Sequence, residues 1–253
     1  TYINKGLLQA KPIDMPRAVR RKPKKNKSIN HKVDSKCRQG RNFDDYHAYM
    51  EEHPDSIVCQ IDTVEGTKGG KCILTLCFVT LKFQFGILRE HNDSHSVTQA
   101  FQYLYSIMDH NLFHLLFDVI LTDNGTEFSN PTAIESLDDN DIHPHVFYCE
   151  PNRSDQKGSC ENDHSNFRRI VPKGTNMDSY TQELIDLIFS HVNSFSRTSL
   201  NGHTPYESFR FLYGQGILDL WHIRYIKPND VILKPFLVNQ FLKNEGVCHD
   251  DVH

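Results

Sequence analysis

Apolar residues first recur at strand-like spacing in the segments "SIVCQIDTVEG", "KCILTLCFVTLK" and "FQFGILRE". These segments are rich in β-branched and aromatic residues, and a Gly-Gly turn separates the first two, so they predict a meander of three strands. Two shorter apolar runs, at residues 117–122 and 145–151, predict a fourth strand and a fifth strand that a proline closes.

Apolar residues recur at helical spacing between and after these strands. Residues 97–113 carry them at steps of three, four and seven, with Ser94 or Ser96 as the expected N-terminal cap. Residues 157–172 and 180–197 predict two later helices, of which the second is strongly amphipathic. A strand meander followed by alternating strands and helices predicts an α/β fold, with a mixed five-stranded sheet flanked by helices.

The pattern also suggests a division of the chain into three parts. Residues 51–213 hold the predicted strands and helices and form the expected core. The last forty residues contain "DVILKP" among prolines and glycines, which predicts a small, strand-rich C-terminal appendage over residues 214–253. Residues 1–50 are expected to form a basic N-terminal arm or linker that is partly disordered.

Charge separates this basic arm from an acidic body. Residues 1–41 hold 13 Lys and Arg against two Asp, a balance of +11, whereas residues 42–253 hold 15 against 30, a balance of −15. Such an arm is attracted to phosphates, although a merely solvated tail is the alternative. Its candidate DNA-binding residues lie in the block "RAVRRKPKKNKS" and are Arg20, Arg21, Lys22, Lys24 and Lys25.

Other features of composition exclude some classes of protein. The longest apolar run, Ile73 to Leu81, is interrupted by threonines and is too short to span a bilayer, so no membrane partner is expected. Seven scattered cysteines without a C-x-x-C pair fit reduced thiols in the cytoplasm better than disulfides or zinc. The chain begins at Thr1 without a methionine, from which we expect a fragment that has lost an N-terminal piece.

Three acidic residues are candidates for chemistry. Asp123, in "FDVILTDNGTEFSNP", lies where a buried strand reaches the surface, although Asp is also common there simply to form the turn. Asp62 lies among residues that should be buried, where a charge is costly unless a metal or partner neutralises it. Glu161 lies on a predicted helix and shares a face with Lys157, although a solvated helix acid is the alternative.

These three carboxylates can meet at one site if the first and fourth strands are neighbours. Three such side chains suit Mg²⁺ or Mn²⁺, which prefer carboxylate and phosphate oxygens. Two ions can activate an attacking hydroxyl and stabilise the leaving oxygen when a phosphodiester is displaced. An acidic body can then act on nucleic acid because the cations lie between it and the phosphates.

Four motifs in order resemble a known family: "CQIDTVEG", "VILTDNGTEFSNP", "HVFYCEPNRSDQKGSCENDHSNFRRIVPKGT" and "LNGHTPYESF". They look like the catalytic domain of the insertion-sequence-thirty family of bacterial transposases, within the superfamily of DDE transposases and retroviral-type integrases. The resemblance implies a ribonuclease-H-like fold and a catalytic, metal-binding triad carried over onto Asp62, Asp123 and Glu161. The spacings between them are 60 and 37 residues, and the second is close to the spacing that marks the superfamily.

The resemblance implies a DNA transposase that performs metal-dependent cleavage and strand transfer of insertion-sequence ends. Its partners would be terminal inverted repeats, target DNA and further copies of the chain, as a homodimer or larger assembly on DNA. Its cofactor would be two Mg²⁺ or Mn²⁺ ions. It would be located in the bacterial cytoplasm, at the nucleoid when bound to DNA.

Two alternatives to an active transposase remain at this stage. Nothing upstream of residue 41 has the length or periodicity of the N-terminal helix-turn-helix region that such transposases carry. A catalytically impaired, DNA-binding remnant of a truncated transposase is therefore the main alternative. A ribonuclease-H-type nuclease shares the chemistry, but the motifs around Glu161 do not favour it.

Neighbouring residues gain expected roles from the same resemblance. Asn124 and Gly125 form the turn that presents Asp123, and Gly125 is expected to have a positive φ or a close approach to another group. The helix that carries Glu161 starts near Gly158, and its N-terminus attracts anions such as DNA phosphate. His164 is expected to lie beside the site.

Further basic residues are expected to face DNA. The residues Lys157, Arg168, Arg169 and Lys173 lie within one 17-residue window of the acidic body, which predicts a DNA-facing edge. Glu127, the second acid of the fourth-strand motif, is expected to be a loop acid near the site rather than a ligand.

Overall fold

The computed structural model describes residues 35–137, 143–150, 156 and 158–246, and only the backbone at 35 and 158–163. The basic block and Lys157 lie outside the described residues, so the roles predicted for them stay predictions. The strands are β1 Val58–Glu65, β2 Cys72–Phe78, β3 Phe83–Arg89, β4 Val119–Thr122 and β5 His145–Tyr148. The α-helices are α1 Phe43–Glu52, α2 Ser94–Ile107, α3 His110–Leu116, α4 Pro131–Glu135, α5 Gly158–Ile170, α6 Gln182–Asn193, α7 Pro205–Tyr213, α8 Gln215–Leu220 and α9 Phe236–Asn244.

The five strands form one mixed sheet in the order β3-β2-β1-β4-β5. β1 and β3 are antiparallel to β2, whereas β4 is parallel to both β1 and β5. Every residue of β2 is buried because elements cover both of its faces. The predicted mixed five-stranded sheet flanked by helices is confirmed, and so is the condition that the first and fourth strands are neighbours.

The first helical segment is two helices rather than the one predicted over residues 97–113. Helix α2 ends at Ile107, and the Asp109 carboxylate accepts a hydrogen bond from the amide of Leu112, which caps a new helix, α3. The cap of α2 is Asp93 and not either predicted serine, since its side chain accepts from the Ser96 amide. Aspartate at these two positions satisfies exposed helix amides and so sets where each helix begins.

The open edge of β3 is covered by amide side chains from α6. Gln182 donates to the Gly86 carbonyl and accepts from the Leu88 amide, both at 2.8 Å. At the other end of α6, Asn193 accepts from the Gln84 amide at 2.9 Å and donates to the Gln84 carbonyl at 2.6 Å. These amides take the place of a sixth strand, so the edge is not open to pairing with another chain.

The prediction of a strand-rich C-terminal appendage is wrong. Over residues 214–246, the part of this region that the structure describes, the regular elements are helices and not strands. The extended backbone between them lies along α6, whose Ser190, Ser194 and His191 side chains accept hydrogen bonds from the amides of residues 224, 226 and 232. Because helix side chains satisfy these amides, β-branched residues here need no partner strand.

Asp186 on α6 provides a test of how burial affects stability. Burial raises the pKa of this carboxyl to about 6, and a hydrogen bond from Gln182 together with the nearby His222 and Arg224 only partly offsets the shift. The raised pKa means that the folded state binds a proton more tightly than the unfolded chain does. The stability present below the unfolded-state pKa is therefore lost as pH rises through about 6.

We expect Asp186→Asn to raise the free energy of unfolding by about 1–2 kcal/mol at pH 8 and to change it little at pH 4. Asparagine keeps an oxygen that can accept from Gln182 but carries no charge to bury. Urea unfolding at both pH values measures the effect, with the exposed Glu183→Gln as the matched control on the same helix. Equal destabilisation by Asp186→Asn at both pH values would show that the carboxylate stabilises the fold.

Candidate active site

Asp62 and Asp123 lie on adjacent parallel strands at the same edge of the sheet. The parallel pairing of β1 with β4 sets Gln60 opposite Leu121. Asp62 follows Gln60 by two residues within β1, and Asp123 follows Leu121 by two residues, directly after the end of β4. Neighbouring strands are about 4.8 Å apart, so carboxylates that follow paired positions at the same end of two parallel strands suit a shared ligand. Both residues are partly exposed, and the Asp62 side chain is 30% accessible.

The Asp62 carboxylate is held by its own strand and by α5. Its Oδ1 accepts a hydrogen bond from the Thr63 amide at 3.0 Å, and its Oδ2 lies 3.4 Å from His164 Nδ1. The Thr75 hydroxyl donates to the Asp62 carbonyl at 3.0 Å and lies 2.9 Å from His164 Nε2. His164 therefore lies beside Asp62, and its role at a site stays a prediction. Thr75 was not among the predicted residues.

Asp123 is both a turn residue and a candidate ligand. Its Oδ1 accepts from the Gly125 amide at 2.9 Å, which closes an Asx turn at the end of β4. Asn124 donates to the Cys149 carbonyl at 2.6 Å and so fixes the turn against the chain that follows β5.

Of the two alternatives predicted for Gly125, the structure has the close approach and not the positive φ, since the φ of Gly125 is −60°. A Cβ at this position would lie 2.5 Å from Glu127 Oε2, so the close approach is to a flexible side chain and not to backbone. Gly125 therefore makes room for the Glu127 carboxylate beside the turn. This contact places Glu127 beside the turn that carries Asp123. Glu127 itself lies further from the end of β4 than Asp123 does.

Two arginines that precede α1 contact the part of the chain that follows β4. Arg38 donates to the Asn124 carbonyl at 3.3 Å, and its guanidinium carbon lies 5.3 Å from the centre of the Tyr148 ring. Arg41 donates to Glu135 at 2.9 Å. Sequence reasoning grouped these arginines with the basic arm, because a basic residue at the end of a charged block carries no local sign of a long-range contact.

Helix α5 is set against Asp62 through one of its faces. His164 and Arg168, four residues apart, share a face, and position 161 lies on it one turn before His164. Burial lowers the pKa of the Arg168 guanidinium, and the nearby negative charge of Asp62 works against that shift. Arg168 Nη1 is buried and has no hydrogen-bond partner in the part of the chain that is described.

The side chain of Glu161 lies outside the described residues, so its meeting with the two aspartates stays a prediction. Among the side chains that are described, no three His, Cys, Asp or Glu are placed to hold a metal ion. Asp62 and Asp123 are the two predicted ligands whose side chains the structure describes. No helix in the described segments is long and apolar enough to cross a membrane.

The predicted DNA-facing residues that the structure describes differ in exposure. Arg168 is half-buried beside Asp62, whereas Arg169 and Lys173 are exposed. Gly158 is the first residue of α5, as its predicted role at a helix N-terminus requires. Contact of any of these residues with DNA stays a prediction.

The sequence is similar to those of several insertion-element transposases. No protein-family model matches the chain. A probable transposase for the insertion-like sequence element IS1161 of Streptococcus salivarius is 29% identical over 210 residues, which cover 78% of this chain and 53% of that protein. A transposase for IS1086 of Cupriavidus metallidurans is 39% identical over 62 residues, covering 24% of this chain and 18% of the relative. The transposase InsI for IS30A of Escherichia coli is 36% identical over 62 residues, covering 24% and 16%.

These matches, with the order of the motifs, make the chain similar to transposases of insertion elements. More particularly, the chain is a distant homologue of the transposases of IS30- and IS1161-type insertion elements. The resemblance read from the motifs is thereby confirmed. The chain spans about half the length of the IS1161 relative and matches less of the other two.

One solved structure is also similar to this chain, and the similarity covers most of the length of that structure. The catalytic core domain of BIV integrase superposes with a TM-score of 0.40 and 16% sequence identity, covering 60% of this chain and 92% of that one.

Proposed function

We propose that this chain is the catalytic core of a DNA transposase that cleaves phosphodiesters at insertion-element ends and joins the freed 3′ hydroxyl to target DNA. The observation that supports the proposal is the parallel pairing of β1, which contains Asp62, with β4, which Asp123 directly follows. The partners are terminal inverted repeats, target DNA and further copies of the chain, in the bacterial cytoplasm at the nucleoid.

The donor chemistry of this edge fits Mg²⁺ or Mn²⁺. Two partly exposed carboxylates from adjacent strands supply the hard oxygens that these ions prefer. Asp62, Asp123 and Glu161 would hold them. Bound there, two ions supply positive charge that stabilises the attacking and leaving oxygens of the displacement.

The chain's own residues hold this edge in one geometry before DNA arrives. The Thr63 amide fixes one oxygen of Asp62, and the Gly125 amide fixes one oxygen of Asp123. Both hydrogen bonds come from the backbone of the same turn or strand, so neither carboxylate depends on a mobile partner for its direction. Such preorganisation is what metal-dependent chemistry needs from its ligands.

Arg168 supplies positive charge next to the acids. Its buried Nη1, which has no hydrogen-bond partner among the described residues, is suited to donate to a phosphate oxygen of the DNA strand being joined. The basic residues between Arg20 and Lys25 lie far from these acids in sequence and would attract duplex DNA through its phosphates. The proposal thus assigns binding of duplex DNA to the basic residues between Arg20 and Lys25, and contact with the reacting phosphate to Arg168.

Strand transfer with pre-cleaved element ends, plasmid target and Mg²⁺ tests this function. We expect joined products from the parent chain and none from Glu161→Gln, which keeps the size of the side chain but removes its charge. Binding of the same DNA is measured for both proteins. No product from either, with DNA still bound, would reject the enzyme and favour the DNA-binding remnant.

A further inference from the structure

Thr75 is a polar residue in an otherwise apolar strand. It lies in β2, "CILTLCF", is fully buried, and faces Asp62 across the antiparallel pairing of β1 with β2. From the sequence alone it is indistinguishable from a threonine chosen for its β-branched shape. Its hydroxyl, however, contacts two groups of the candidate site.

The two contacts of the Thr75 hydroxyl, to the Asp62 carbonyl and to His164 Nε2, orient the His164 ring. A hydroxyl has one proton, and the Thr75 hydroxyl donates it to the Asp62 carbonyl at 3.0 Å. The same oxygen, 2.9 Å from His164 Nε2, is then left to accept a hydrogen bond from that nitrogen in the tautomer that carries a proton there. This contact turns the ring so that Nδ1 lies 3.4 Å from Asp62 Oδ2.

We propose that Thr75 is a positioning residue, which holds the Asp62 carboxylate and the Glu161-bearing helix α5 in their working arrangement through His164. The proposal rests on the proposed function, because it assigns Thr75 a role in preparing the Asp62 carboxylate for metal. His164 is three residues after Glu161 in α5, so one hydroxyl joins the strand of the first acid to the helix of the third. Groups that orient ligands in this way typically change metal affinity or activity 10–100-fold when they are removed.

A second buried threonine of the same sheet provides a matched control. Thr122 is also fully buried and immediately precedes Asp123 in β4. Its hydroxyl has no hydrogen-bond partner among the residues that the structure describes. Thr122→Val therefore removes the same atom from the sheet without removing a contact to the site.

The first measurement needs neither metal nor activity. The ¹⁵N resonances of the His164 ring are recorded for the metal-free parent, Thr75→Val, Thr75→Ser and Thr122→Val. We expect Thr75→Val to shift the Nε2 resonance, because it loses its acceptor, and the other two variants to keep the parent's. An unchanged spectrum in Thr75→Val would overturn the proposal, whether or not the chain is a transposase.

The second measurement is Mn²⁺ affinity, followed by strand-transfer rate against Mg²⁺ concentration. We expect Thr75→Val to weaken metal binding about 10-fold or more, with partial recovery of rate at high Mg²⁺. Thr75→Ser and Thr122→Val should stay within about twofold of the parent. Equal affinity in Thr75→Val and the parent would refute the positioning role.

His164→Ala keeps the proposal testable if Thr75→Val fails to fold. It should weaken Mn²⁺ binding to the same extent, and the double variant should be no worse than His164→Ala alone, because Thr75 acts through His164. Additive losses in the double variant would contradict this route. A parent chain that binds no Mn²⁺ and joins no DNA would instead reject the proposed function, while the ring resonances still decide whether Thr75 orients His164.

Discussion

Asp123→Asn is expected to lower the rate of strand transfer about 1,000-fold while leaving the fold intact. Asparagine can still accept a hydrogen bond from the Gly125 amide, so the turn at the end of β4 persists. Asparagine lacks the negative charge that Asp123 places at the end of β4, next to the strand that contains Asp62. Losing several kcal/mol of charge stabilisation in the transition state corresponds to an effect of this size.

Single-turnover joining of pre-cleaved ends at saturating Mg²⁺ measures the loss, and thermal unfolding checks the fold. Glu127→Gln is the matched control. Glu127 lies in the same loop as Asp123, but in the short 3₁₀-helix Thr126–Phe128 rather than directly after β4. We expect it to stay within about threefold of the parent, as for a loop acid that holds no metal. Loss of activity in Glu127→Gln equal to that in Asp123→Asn would show that the wrong acid has been assigned.

Arg168→Met is expected to lower the maximal joining rate about 100-fold with little change in DNA affinity. The Arg168 guanidinium is half-buried next to Asp62, and under the proposed function we expect it to act at the reacting phosphate rather than along the duplex. Because its buried Nη1 has no partner in the described structure, its removal should not lower the free energy of unfolding.

Arg169→Met is the matched variant at the next position, where the side chain is exposed. We expect it to weaken DNA binding and reduce the salt dependence by about one phosphate contact, with the maximal rate unchanged. Titrations at several salt concentrations separate the two variants. If both variants changed only binding, the assignment of Arg168 to the chemistry would be wrong. If charge reversal at both positions left duplex binding and its salt dependence unchanged, their DNA-facing role would be refuted.

Local pattern was sufficient to predict most of the sheet. The β1, β2 and β3 runs are rich in apolar, β-branched and aromatic residues, and β4 and β5 are short apolar runs with clear turn signals. The pairing of β1 with β4 was stated only as a condition, because two strands and two helices separate these parallel neighbours in the chain, and no periodicity of the sequence indicates such a pairing.

The predictions that failed depended on long-range contacts. The segment "DVILKP" has strand propensity, but the Ile232 amide is bound by His191 of α6, which no local signal indicates. Thr75 was missed for the same reason, because its role follows from its place opposite Asp62 in the register. By contrast, the break before α3 was visible in the sequence as Asp109, a residue type that commonly caps helices.

The central claim is that Asp62, Asp123 and Glu161 together hold divalent metal at the DNA end. Anomalous diffraction at the manganese edge, from crystals of the chain bound to a pre-cleaved element end with Mn²⁺, tests it most directly. We predict manganese peaks at bonding distance from carboxylate oxygens of all three residues, and their loss in Asp123→Asn. A DNA end seated at this edge with manganese bound elsewhere, or with no manganese at these carboxylates, would contradict the claim.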